Sequence, residues 1–235
     1  MDLKLKDVAD LLNVSEITIR RWLTDGKIPA YRINHQYRFS RVEIENWVLS
    51  HKLMHNDPQL VQQENAVPAE EPEMPAVKRG SKQFSLYRAI HKGGIFSKVP
   101  GSNKEEVIRA ATKAIVKDLD LDSEVISDLL LDRESLQPTS LNNGVGIPHP
   151  RDFLLNTSQD VIAVVFPKKA VGYGALDGKP VHTMFFLFAC EDKRHLHLLA
   201  KIAHFCSQPE VVEFLQTQPE KNALLSYVKE WESSL

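Results

Sequence analysis

Residues 143–151 read Asn143-Gly144-Val145-Gly146-Ile147-Pro148-His149-Pro150-Arg151, and the rest of the chain is arranged around them. Gly144 and Gly146 lack side chains, so the backbone can turn sharply here or come close to a partner. A short strand runs into Ile147. Pro148 and Pro150 then each fix φ and remove an N–H, so His149 sits in a frame that cannot relax into helix. Arg151 follows as a permanent cation. One histidine in a stiff frame beside an arginine suits a nucleophile that accepts and returns an anion. One ring nitrogen attacks while the other is held as N–H by a neighbour. A histidine that merely closes a turn is the plainer alternative, and the nonamer alone does not decide between them.

The flanking sequence supplies the scaffold. Val161–Phe166 and Thr183–Ala189 are near-continuous apolar runs, which read as central strands covered on both faces. Ser102-Asn103-Lys104-Glu105 reads as a capping box opening a helix to about Leu119, with Val107, Ile108, Ala111 and Ile115 inward. A second helix is expected from Asp122 or Ser123 to Asp132. Further helices are expected over 193–206, 209–216 and 220–231, and residues 91–96 read as a turn into a short strand. Strands interleaved with helices predict a C-terminal α/β layered domain with a central mixed sheet, its site on loops at the sheet's edge.

The whole chain has 235 residues, 43% of them hydrophobic and 26% charged, with a net charge of −2. That length allows one large domain or two. No apolar run approaches the roughly 20 residues of a membrane helix, and no apolar stretch follows Met1-Asp2-Leu3-Lys4 as a signal peptide requires. Cys190 and Cys206 are far apart in apolar surroundings, as befits reduced thiols in a cytoplasmic protein. Residues 53–82 contain Pro58, Pro68, Pro72 and Pro75 and little large apolar surface. They are expected to form a flexible linker between domains at 1–52 and 83–235, with at most a turn of helix at Leu60–Gln63.

Residues 1–52 carry nine Lys/Arg against seven Asp/Glu, so DNA contact would depend on the arrangement of charges and not on bulk charge. Lys6–Leu12 has helical spacing, Asn13-Val14-Ser15 is a turn, and Ser15 caps a helix from Glu16 to about Asp25 that Gly26 ends. Ile19, Trp22 and Leu23 share its apolar face. A connection this short forces a helix-turn-helix crossing. Ala30–Ile33 and Gln36–Phe39 around Asn34-His35 make a hairpin, and Ser40-Arg41-Val42-Glu43 opens a third helix with Val42, Ile44, Trp47 and Val48 apolar. Trp22 and Trp47 are expected in the core. The fold expected here is a small winged helix-turn-helix, mostly α with a β-hairpin.

These residues, with Thr18-Ile19-Arg20-Arg21-Trp22, Gly26-Lys27-Ile28-Pro29-Ala30 and Tyr37-Arg38-Phe39-Ser40, resemble the excisionase-type branch of the MerR-like winged helix-turn-helix family. The resemblance implies that the second helix enters a DNA major groove and that the hairpin acts as a wing. Ser15, Glu16, Thr18, Arg20 and Arg21 are then candidates near bases or phosphates, and Lys27, Arg32, Arg38 and Arg41 candidates for phosphates. Solvated surface charge is the alternative for each cation. His35 and Gln36 stand where the family often has Arg, so one copy should bind weakly and a dimer or higher oligomer would be needed.

Arg133-Glu134, the loop Ser135–Leu141, the His149 segment, Ala175–Val181 and His195-Leu196-His197-Leu198 together resemble the enzyme IIA domain of the fructose/mannitol and nitrogen-regulatory branch of the bacterial phosphotransferase system. The match covers roughly Ser85 to Trp231. It implies that His149 takes a phosphoryl group from a histidine phosphocarrier protein, with Arg133 and Arg151 as clamps and His195 as the second histidine. No metal and no cofactor beyond the covalent phosphoryl group on His149 is implied. Pro138, Ser140 and Asn142 depart from the family's loop and stiffen it. A helix-end ion pair remains the alternative for Arg133-Glu134, an inert helix position for His195, a surface position for His197, and a plain tight turn for Asp177-Gly178.

The combined expectation is a cytoplasmic regulator that couples phosphorylation state to DNA binding: a phosphotransferase-system component, not a free-standing metabolic enzyme. A regulated protein target is a further candidate partner, and no membrane is expected. Two alternatives stand beside it. One is a plain DNA-binding protein whose second domain docks protein without being phosphorylated. The other is a phosphocarrier whose first domain binds protein.

Overall fold

The computed structural model describes residues 2–12, 14–33, 36–54, 85–119, 121–151, 154–155 and 159–234. The chain divides into two compact units, Met1–Ser81 and Lys82–Leu235. Most of the expected linker, its helical turn at 60–63 and the hairpin turn at 34–35 lie outside the described residues.

The first unit runs β1 (Asp2–Leu3), α1 (Leu5–Leu12), α2 (Glu16–Thr24), β2 (Tyr31–Ile33), β3 (Gln36–Ser40) and α3 (Arg41–Met54). Ser15 caps α2 by accepting from the Thr18 N–H at 3.1 Å, and Gly26 beyond its end has φ +66°. The hairpin pairs Tyr31 with Arg38 and Ile33 with Gln36. The sequence reading missed β1, which pairs with Ser40 and Phe39 and makes the hairpin a three-stranded antiparallel sheet. Two residues are too short to show a period. Val8, Leu11, Leu12, Ile19, Phe39, Ile44 and Val48 form the core with the two tryptophans. The Trp22 and Trp47 rings lie 5.3 Å apart, and the Trp47 indole N–H donates to the Lys27 carbonyl.

The second unit runs α4 (Leu86–Gly93), β4 (Ile95–Val99), α5 (Lys104–Ile115), a 3₁₀ turn (Val116–Asp118), α6 (Ser123–Leu136), β5 (Ser140–Leu141), β6 (Val145–Gly146), β7 (Val161–Pro167), β8 (Thr183–Phe188), α7 (Asp192–Cys206), α8 (Pro209–Gln216) and α9 (Lys221–Ser234). Its five-stranded mixed sheet has the order β4-β7-β8-β6-β5. β7 and β8 are antiparallel, whereas β4–β7 and β6–β8 are parallel. Every residue of β7 and β8 is buried, as their apolar runs predict.

The strand period of two sorts those side chains into layers. Val161, Ala163 and Val165 of β7 and Met184, Phe186 and Phe188 of β8 pack with Val107, Ile108 and Ala111 of α5 and Ile126 and Leu130 of α6. The alternate residues face the other layer, where α4 packs on β7 and α9, and α7 packs on β8. Gly93 permits the closest approach there: an added Cβ would sit 2.2 Å from the Ile162 carbonyl oxygen.

Four expectations change. Residues 91–93, read as a turn, are the last turn of α4, because Ser85 caps a helix that Gly94 (φ +83°) ends. The α5 cap is Asn103, not Ser102: its side chain accepts from the Glu106 N–H at 2.9 Å, and Glu106 reaches back to the Ser102 N–H at 2.8 Å. That helix ends at Ile115 in a 3₁₀ turn instead of running to Leu119. Finally, α6 continues a full turn past Asp132, which puts Arg133 and Glu134 on a helix, and the loop after it contains β5.

Candidate functional site

The last turn of α6 fixes one side of the site. Arg133 and Glu134 are both buried. Arg133 donates from Nη1 to the Gln137 carbonyl at 3.0 Å, which closes the end of the helix. Glu134 accepts from the Thr139 N–H, the Thr139 hydroxyl and, at 2.9 Å, the Tyr173 hydroxyl. Lys104 lies 3.5 Å from the same carboxylate and 5.0 Å over the Tyr173 ring. Burial, then the Glu134 charge, pushes the Tyr173 phenol well above its ordinary pKa, so it acts as a donor.

A relay of backbone bonds links this corner to the histidine. Ile147 N–H donates to the Thr139 carbonyl at 2.9 Å. The Ile147 carbonyl lies 2.7 Å from His149 Nδ1. A carbonyl oxygen can only accept, so Nδ1 carries the proton and, in the neutral ring, Nε2 keeps the lone pair. Pro148 gives up its N–H to the ring but not its carbonyl, which accepts from Leu187 N–H at 3.0 Å and pins the segment to β8. The His149 ring is buried and meets the His195 ring edge to face, with centroids 5.0 Å apart. His195, also buried, stands in the first turn of α7, where the positive end of a helix favours an anion.

The turn before this segment is braced as well. Asn143 and Gly144 have φ of +66° and +78°. An added Cβ at Gly144 would lie 2.5 Å from the His182 ring and 2.9 Å from the Pro180 carbonyl oxygen, so the close approach read from the sequence is real. Asp177 does more than turn the chain. It accepts from the Asn143 N–H at 2.7 Å, and Lys179 reaches the Asn143 side chain at 3.1 Å. Burial lowers the His182 pKa, and its Nε2 donates to the Asn143 carbonyl while Nδ1 faces the Thr183 hydroxyl.

The structure therefore brings His149 and His195 together and ties Arg133 to the loop that supports them. Arg151 is exposed two residues beyond the ring. His197 is half-buried and bonds the Lys193 carbonyl through Nδ1.

On the first unit, Ser15, Glu16, Arg20, Arg21 and Arg32 are exposed, while Thr18, Lys27, Arg38 and Arg41 are half-buried. Several have local partners. The Ser15 and Thr18 hydroxyls are 2.9 Å apart, and Lys27 lies 3.5 Å from Asp25. Arg32 stacks over Tyr37 at 5.0 Å, Arg38 bonds the Gln36 side chain, and Arg41 bonds the buried Glu45 at 2.9 Å.

A profile of the family described as phosphoenolpyruvate-dependent sugar phosphotransferase system, EIIA 2, matches residues 88–231. The chain belongs to this family. Its EIIA domain is similar to the nitrogen regulatory protein of Pseudomonas aeruginosa, 32% identical over 146 residues that cover 61% of this chain and 94% of that one. It is also similar to the crystal structure of nitrogen regulatory protein IIA-Ntr from Neisseria meningitidis, at 28% identity and a TM-score of 0.52, covering 57% of this chain and 91% of that one. A helix-turn-helix domain profile matches residues 3–52. The transcriptional repressor DcmR of Methylorubrum extorquens is 39% identical over 83 residues, 34% of this chain but only 27% of the repressor.

Sequence reasoning missed Tyr173, Lys104 and His182 around the EIIA site, and left Glu134 as an ion-pair candidate. Nothing periodic marks them, because loops and helix ends from four separate segments bring them together. Only Glu134, a carboxylate three residues after the apolar Leu130-Leu131, hinted at a buried acceptor.

Proposed function

We propose that this chain is a cytoplasmic regulator in which phosphorylation of its EIIA domain controls DNA binding by its helix-turn-helix domain. The observation that carries the phosphorylation half is the 2.7 Å contact of His149 Nδ1 with the Ile147 carbonyl, which leaves Nε2 as the nucleophile. Nε2 attacks the phosphorus of a phosphohistidine on a histidine phosphocarrier protein. A new N–P bond forms, and the bond to the carrier's ring nitrogen breaks with its electron pair staying on the carrier, which takes up a proton. The product is a phosphoramidate with about −1.5 to −2 charges. His195 and Arg133 supply donors to it, and the exposed Arg151 meets the carrier's phosphoryl group on arrival. No metal or cofactor takes part.

The DNA half rests on the matched helix-turn-helix domain and on the exposed Arg20 and Arg21 of α2. In the MerR- and excisionase-like reading, α2 enters the major groove and the hairpin carrying Arg32 and Arg38 follows the backbone, with Lys27 and Arg41 near phosphates. Two copies on paired half-sites compensate for the few cations in each.

Incubation with phosphoenolpyruvate, enzyme I and the phosphocarrier, followed by intact mass, tests the first half. Wild type should gain one acid-labile phosphoryl group and His149→Ala none. A wild type that stays unmodified would favour a second reading, an EIIA domain that docks protein without being phosphorylated. The loop with Pro138, Ser140 and Asn142, which departs from the family's pattern ahead of His149, is the observation on that side.

A further inference from the structure

Helix α2 has one side chain that packing does not explain. Ile17 is 78% exposed. At ~100° per residue it lies ~140–160° away from the buried Ile19 and Trp22, and within ~60° of Arg20, Arg21 and Thr24. It thus sits at the middle of the outward face, flanked by two exposed guanidinium groups. The polar candidates near it are occupied locally. Ser15 and Thr18 bond each other, and the Thr24 hydroxyl donates to the Arg20 carbonyl at 3.0 Å. The paired tryptophans of this unit are both buried and leave that face to Ile17 and its polar neighbours.

An apolar side chain among cations fits one surface well. The major groove offers phosphates on its walls and, at each thymine, a C5-methyl group on its floor. A helix of this width enters that groove, and in helix-turn-helix proteins the first residues of the second helix contact base edges. Ile17 is the second residue of α2. We propose that Ile17 reads a thymine methyl in each half-site, and so supplies sequence preference that Arg20 and Arg21, when held by phosphates, cannot. This rests on the DNA-binding reading above.

The test uses the full chain. Duplexes are selected from a random library, and each thymine of the selected site is replaced singly by deoxyuridine, which removes only the methyl group. Wild type should lose about fourfold in affinity at one thymine per half-site, the loss expected for one unburied methyl. Ile17→Ala should be indifferent to that same replacement while keeping the wild-type salt slope. Ile17→Gln, which keeps the helix, should select sites with a different base there. Uridine-insensitive binding by wild type would overturn the proposal, as would equal sensitivity in Ile17→Ala. A change in oligomeric state of Ile17→Ala without any uridine effect would overturn it too, by assigning the residue to contact between copies. If wild type selects no site and binds duplex DNA without salt dependence, the DNA-binding reading itself falls, a result distinct from these.

Discussion

At the scale of residues, the site is a buried polar corner whose acceptor is Glu134. Replacing Glu134 by Ala strands the Thr139 N–H, its hydroxyl and the Tyr173 hydroxyl away from water. Losing an acceptor for buried donors costs about 1–3 kcal/mol for each one stranded, so Glu134→Ala should destabilise the EIIA domain by at least ~3 kcal/mol in denaturant unfolding. Tyr173→Phe removes only a single donor and should cost about 1 kcal/mol. Gly144 gives a second prediction. Gly144→Ala combines a left-handed φ with contact against the Pro180 carbonyl, whereas Gly178 has a similar φ (+68°) in open space. Gly178→Ala should cost about 1 kcal/mol and Gly144→Ala clearly more, with phosphoryl transfer slowed only in the latter. His149 and Gly144 were legible beforehand because Pro-His-Pro stiffens the backbone locally and the paired glycines free it to turn. Tyr173 was not, because its role exists only once α6 and the 171–174 segment meet.

Elements show the same division. β7, β8, α7 and α8 follow from apolar period alone, and their bounds agree with the sequence within a residue or two. α4 is hidden from a sequence reading because it ends in two consecutive glycines, Gly93 inside its last turn and Gly94 just beyond it, and because what holds its start lies 147 positions away in sequence. Glu232 of α9 accepts from the Ser85 hydroxyl at 2.8 Å and from the Leu86 and Tyr87 N–H groups, and pairs with Lys201 of α7 at 2.8 Å. Burial pushes the Glu232 carboxyl up. The Lys201 ammonium, the Ser85 hydroxyl and the Leu86 N–H outweigh it and hold the pKa below the ordinary 4.5. A depressed carboxylate pKa stabilises the fold fully above pH 4.5, and that contribution fades as pH falls through the folded value. The stability difference between wild type and Glu232→Gln should therefore be constant above about pH 5 and shrink below pH 4.5; a difference independent of pH down to 3 would refute the linkage. α6 carries the lesson furthest. Its extra turn was hidden because Arg133 and Glu134 look like surface residues until their partners are known.

The whole molecule joins an EIIA domain to a helix-turn-helix domain, and no helix among the described residues is long and apolar enough to cross a membrane. Both folds were legible because each has its own short motif with fixed spacing. How one governs the other was not, since coupling is a difference between states and a sequence encodes it at no single position. A phosphoryl group on His149 changes DNA affinity only if the phosphorylated and free forms engage DNA differently, and a tenfold effect corresponds to about 1.4 kcal/mol of such coupling. The decisive measurement is the affinity of the full chain for duplex DNA at fixed salt, with and without phosphorylation, in wild type and in His149→Ala. The account predicts a several-fold change for wild type on phosphorylation and none for the variant. Equal affinities for the two wild-type forms, with the phosphoryl group confirmed by mass, would contradict it.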